Sequence, residues 1–266
     1  MIEGYGFVQG VTSLFYLYSW RALALVCTLI FSAGLYAGPP LNTDDTGLLV
    51  PGEWELILSF VADKRTSGNS YSAPGFEANY GLTPNTQMTA SLGRAKVAPA
   101  VGSSKSDFDA ATLEYKWRFF TGDKTALAVV PAYSFPLTGS STDRGVVDDV
   151  KVFSLPVVGT YATGPWEFNA QVSYEMTSSG PNTGFYGASA AYTVTDALTV
   201  LGEIYGVAAY GEKAEETGFN IGLDYTFARG WALLFSVGTG INSNLPNVED
   251  ELDTSAFLGV RYVTGE

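Results

Sequence analysis

Histidine is missing altogether from this 266-residue sequence, and cysteine occurs once, at Cys27. Without an imidazole there is no general base of the Ser-His-Asp kind and no His-ligated zinc. A single thiol excludes an intrachain disulfide and any cysteine cluster for zinc or iron–sulfur. Positive charge is scarce: 14 Lys plus Arg stand against 27 Asp plus Glu, a net charge of −13, and the bases form no patch for a phosphate backbone. Charged residues make up only 15% of the chain against 46% hydrophobic, a composition too apolar for disorder. Beyond residue 52 no stretch has helical spacing. These absences point away from an enzyme, a metal centre, a cofactor or a nucleic-acid partner.

What is present begins with an apolar run, ALALVCTLIFSAGLYA at 22–37, which follows Arg21 and ends in small residues before Gly38-Pro39-Pro40. A positive flank, an apolar core and a small residue at the cut are the marks of a secretory signal, with cleavage expected after Ala37. The run is shorter than the ~20 apolar residues a spanning helix needs. Removing 1–37 would also remove Cys27. The expected division is signal peptide 1–37, an N-terminal periplasmic or plug segment 38–52, and a barrel domain 53–266.

Period-two alternation recurs from residue 53 onward. In 108–119 Ala111, Leu113, Tyr115, Trp117 and Phe119 share one face, and Thr112, Glu114, Lys116 and Arg118 share the other. Segments 166–177 and 218–227 alternate as cleanly, and weaker alternation occupies about 53–62, 75–82, 86–95, 125–136, 150–161, 184–194, 197–210, 230–240 and 254–263. The expectation is an all-β, closed antiparallel transmembrane β-barrel of about 12 strands (10–14), an even number as a closed bacterial barrel requires. The connections sort by length. LTPNT (82–86), TGDK (121–124), TGP (163–165), VTDA (194–197) and ARG (228–230) are tight, whereas 63–72, 94–107, 137–149 and 242–255 are long and polar. Short periplasmic turns at one end and long extracellular loops at the other are the outer-membrane pattern. Trp54, Tyr80, Trp117, Phe119, Tyr161, Trp166, Tyr192, Phe227, Trp231 and Tyr262 all fall beside a short-turn end or a terminus, as an interfacial girdle would.

Arg or Lys on the lipid face near the midplane costs roughly 2–4 kcal/mol, so the face bearing Glu114, Lys116 and Arg118 must point inward. The same logic places Glu167, Glu175, Asp224 and Arg261 in the lumen. These seven residues are the permeation candidates. Glu114, Lys116 and Arg118 have two readings: a charged constriction that selects permeants, or a paired network that fills the barrel. Asp44 and Asp45 also have two: a plug that enters the lumen and pairs with Lys116, Arg118 or Arg261, or a solvated periplasmic turn. For the acidic loop of Glu249, Asp250, Glu251 and Asp253, a solvated surface outweighs a Ca²⁺ site.

After the proposed cut comes GPPLNTDDTGLLVPGEWELILSF, residues 38–60. Pro39-Pro40, Thr43-Asp44-Asp45 and Gly52-Glu53-Trp54-Glu55 resemble the opening of the outer-membrane transporter family labelled MetA-pathway-of-phenol-degradation. The residue match covers about 20 positions, while the strand and loop plan agrees across 38–266. The resemblance implies outer-membrane transport and draws the substrate toward small organic or aromatic compounds. One departure is the C-terminus, where Tyr262 is followed by Val263-Thr264-Gly265-Glu266 rather than closing the chain on an aromatic residue.

The function expected from these features is a passive channel for small solutes through a narrow, partly occluded, charged lumen in the bacterial outer membrane. The alternative is a non-transporting structural or surface barrel that works through its long loops. Expected partners are outer-membrane lipid and lipopolysaccharide, the barrel-insertion machinery and a small-molecule permeant.

Overall fold

The computed structural model describes residues 39–211, 214–243 and 251–265, with backbone alone at 214, 242 and 243. The proposed signal peptide, 1–37, and the acids Glu249 and Asp250 lie outside the described residues. The strand segments are β1 (Trp54–Arg65), β2 (Gly68–Thr83), β3 (Thr86–Pro99), β4 (Lys105–Phe108), β5 (Ala110–Thr121), β6 (Thr125–Val129) and β7 (Ala132–Pro136). A one-turn helix, α1 (Gly139–Asp143), follows, and then β8 (Val152–Thr163), β9 (Trp166–Thr177), β10 (Thr183–Thr195), β11 (Leu198–Ala209), β12 (Ala214–Ala228), β13 (Trp231–Ser243) and β14 (Leu252–Val263).

Segments β4 and β5 both pair with β3, and β6 and β7 both lie between β5 and β8. Each couple is therefore one interrupted pass, and the fourteen segments make twelve antiparallel passes. β14 pairs back onto β1 from Glu55↔Val263 to Arg65↔Leu252, which closes the barrel. Closure leaves no row of unpaired strand-edge groups.

The interruption at 130–131 has a chemical cause. Pro131 has no N–H to give the ladder, and Pro156 stands opposite on β8 with the same deficit. Val130 recovers one bond by donating its N–H to the Pro156 carbonyl at 3.0 Å. At Asp109 the backbone N–H goes to the Gly93 carbonyl at 3.0 Å, while its carboxylate accepts from the Ala110 N–H at 2.8 Å.

Alternation sorts most side chains as the periodicity predicts, although Ala111, expected with the outer set, is buried next to Thr112. On β5 Leu113, Tyr115, Trp117 and Phe119 are exposed on the outer wall, and Lys116 is 8% exposed on the inner one. On β9 the outward set is Trp166, Phe168, Val172, Tyr174 and Met176, and the buried inward set is Asn169, Gln171, Ser173 and Glu175. The outer band is apolar. Trp54–Tyr80, Trp166–Tyr192 and Trp231–Tyr262 meet at 4.6–4.7 Å between ring centroids at the short-turn end.

The tight connections fall where the sequence puts them, but several long ones are largely strand. Residues 63–72, read from sequence as a loop, continue β1 and β2 to a turn at 66–67, and β3 runs on to Pro99. Beyond the lipid neither face is apolar, so the alternation fades while the backbone ladder persists.

Candidate lumen site

The inner wall carries polar and small side chains, and what they hold is the chain's own N-terminal segment. Backbone N–H groups of this segment donate to wall side chains: Asn42 and Thr43 to the two Glu203 carboxylate oxygens, each at 2.7 Å, and Asp44 to Gln171 Oε1 at 2.7 Å. Farther along, Thr46 donates to Thr160 Oγ1 and Leu49 to Gln87 Oε1, each at 3.1 Å. On the opposite side Ser236 Oγ donates to the Pro40 carbonyl at 2.6 Å. Residues 40–49 thus touch β3, β8, β9, β11 and β13, which surround the lumen.

Charge fixes the segment's centre. Lys116 Nζ donates to Asp44 Oδ1 at 2.8 Å and lies 3.8 Å from Asp45 Oδ1. Arg118 reaches the Thr46 carbonyl at 3.4 Å and the Pro84 carbonyl at 3.3 Å. Gly187 supplies the room, since a Cβ there would stand 2.3 Å from Thr43 Oγ1. Asp44 is 6% exposed and Thr43 4%, whereas Asp45 is only half-buried.

The other permeation candidates separate into two groups. Arg261 meets Asp224 at 2.8 Å and Glu55 at 3.6 Å, forming a cluster near the short-turn end that Asp44 and Asp45 do not join. Glu167 accepts from Asn169 Nδ2 at 3.1 Å. Glu114 and Glu175 line a separate cavity of about 230 Å³ on one side of the N-terminal segment. Its floor is Pro39, Pro40 and Leu41, and Val146, from the loop after α1, is buried against it from the other end. In that loop burial pushes the Asp148 carboxyl above the usual carboxylate range.

Sequence reasoning missed Glu203, which grips Asn42 and Thr43 and also accepts from Asn220 Nδ2 at 2.6 Å. Its one signal is its position, two residues before Tyr205 on the inward register of β11, in a Gly-rich segment of weak contrast. Gln171 was legible as inward but not as a contact of the segment. Of the acidic loop, Glu251 and Asp253 are described: the Glu251 carbonyl accepts from the Thr66 N–H at 3.2 Å, and Asp253 pairs with Lys64.

No protein-family model matches the chain. No curated protein matches it either. Solved structures do. An outer-membrane channel from Pseudomonas putida F1 superposes with a TM-score of 0.62 at 16% identity, over 84% of this chain and 98% of that one. The fold is that of outer-membrane channels. The NanC porin follows at a TM-score of 0.57 and the KdgM porin at 0.53, each 11% identical over 77% of this chain and 98% of theirs. The KdgM porin has also been solved in complex with disordered oligogalacturonate.

Proposed function

We propose that this barrel is a passive channel of the bacterial outer membrane for small solutes, held shut by its own N-terminal segment. The observation that carries this reading is the way 40–49 is held: the contacts found for it are hydrogen bonds to wall side chains and the Lys116 ion pair, not strand pairing. A segment bonded in that manner can leave without breaking the sheet. Each such bond contributes only about 0.5–1.5 kcal/mol net, rising to about 1.5–3 where a charged group takes part. Lys116, on Asp44 and Asp45, and Arg118, on the Thr46 carbonyl, act as latches in this scheme. Glu114, Glu167 and Glu175 line the path, and Arg261 with Asp224 and Glu55 sits near its short-turn end. The small cavity suits one small organic solute at a time, in keeping with the aromatic-degradation resemblance of residues 38–60.

A second reading, a structural barrel that passes nothing, is favoured by the lumen ion pairs Lys116–Asp44 and Arg261–Asp224. Conductance in a planar bilayer separates the two. The full exported chain should show rare, small steps, and Asp44→Asn should raise the open probability about tenfold or more by freeing the latch. A refolded, heat-modifiable barrel that conducts in neither form would overturn the channel reading.

A further inference from the structure

The cavity beside the N-terminal segment has an uneven chemistry. Among the described residues its carboxylates are Asp44, Asp63, Asp109, Glu114, Glu175 and Glu216, and its basic lining residues are Arg65 and Lys96. Arg65 is bound to Glu216 at 2.8 and 3.1 Å, and Asp44 is bound to Lys116. Lys96 belongs to the exposed face of β3 that carries Leu92 and Arg94. Among the described residues Asp63 lies in the field of Arg65 and Glu114 in that of Lys116, so the acids of the cavity outnumber the bases that serve them.

Glu175 is the sharpest case. It is 5% exposed, its Oε2 accepts from Thr183 Oγ1 at 2.5 Å, and its Oε1 is buried with no hydrogen-bond partner. A buried carboxylate oxygen left unsatisfied is costly, and Glu175 lines the cavity, from which a bound donor or a water can reach it. Next to it lies an aromatic wall. Glu175 pairs with Thr183 across β9 and β10, and Phe185, two residues on, faces the same way. Phe185 and Tyr205 stack at 6.2 Å with an interplanar angle of 19°, backed by Val207. Tyr205 holds its place because residue 218 is glycine, where a Cβ would stand 2.4 Å from the ring.

We propose that Glu175 and the Phe185–Tyr205 pair form a binding site for a small primary ammonium ion carried on an apolar or aromatic body. The ammonium donates to Glu175 Oε1, and the body lies against rings that also attract a cation through their faces. A cavity of about 230 Å³ is matched in size to a body of one ring. An anionic solute of the same size meets the surplus of carboxylates and is disfavoured. This assignment rests on the reading of the lumen as a solute path, but binding and conduction can be measured apart.

The test is calorimetric titration of the full exported chain, refolded in detergent, with phenethylammonium, 2-phenylethanol and 3-phenylpropionate at pH 7. Phenethylammonium should bind about tenfold or more tighter than either analogue. Glu175→Gln should erase that preference while the barrel stays heat-modifiable. Phe185→Leu should weaken phenethylammonium more than butylammonium, a comparison that remains if Glu175→Gln fails to fold. Equal binding of the three ligands, no binding, or a preference untouched by Glu175→Gln overturns the site. Binding without bilayer conductance would leave the site standing and remove the channel reading. Conductance without ammonium preference would do the reverse.

Discussion

Leu113 and Glu114 are adjacent in the chain and face different surroundings: Leu113 is 50% exposed on the outer wall, and Glu114 lines the inner cavity. The cost of a charge therefore depends on which side of one peptide bond it stands. Leu113→Arg should lose roughly 2–4 kcal/mol of barrel stability near the midplane. Glu114→Gln should assemble like the parent and change only permeation. Heat-modifiability on gels, with conductance alongside, reads both, and equal assembly of the two variants would mean that the faces are reversed. The same contrast explains which residues were legible. Lys116 and Arg118 could be placed inward because lipid forbids them, whereas Glu203 stands in a Gly-rich strand where little alternates around it. Phe185, Tyr205 and Phe257 were harder still. Phe and Tyr normally mark the outer wall, and here they are buried on the inner one.

At the scale of elements, the strands follow from alternation and the tight turns from Gly, Pro, Asp and Asn between them. The breaks at Asp109 and Pro131 do not, because 108–119 and 125–136 alternate straight through them. What the sequence left open was the N-terminal segment, whose Asp44-Asp45 suits a hydrated turn as well as a lumen contact. The contacts that bear on this choice come from Gln171, Glu203 and Lys116, on strands remote in sequence, which no local pattern around 44–45 could reveal. The close approach of Thr43 to Gly187 offers a direct handle on whether the segment moves. Thr43→Cys with Gly187→Cys, made in residues 38–266, which hold no other thiol, should form a disulfide under oxidation. Oxidised protein should stay closed in the bilayer, and reduction should restore the parent's openings. Identical conductance before and after reduction would mean that permeation, if any, bypasses the segment.

At the scale of the whole molecule, closure makes every strand an interior strand. Prolines gather where pairing is already irregular: Pro131 at the break between β6 and β7, Pro156 facing that break, and Pro74 at the bulge of β2. Leu258→Pro, in the middle of the β1–β14 seam where Leu258 pairs with Phe60, should prevent closure and abolish the heat-modifiable form. A heat-modifiable L258P barrel would show that the seam is dispensable.

That seam also sets a timetable. Every other strand pairs with a neighbour close in sequence, whereas Trp54–Arg65 must wait for Leu252–Val263. Contacts so distant along the chain form slowly, because the entropy of bringing the ends together is lost before any bond repays it. The final event of maturation is then a zippering of first strand to last. Until it happens the chain is a ribbon with two unpaired borders, each open to pairing with another chain.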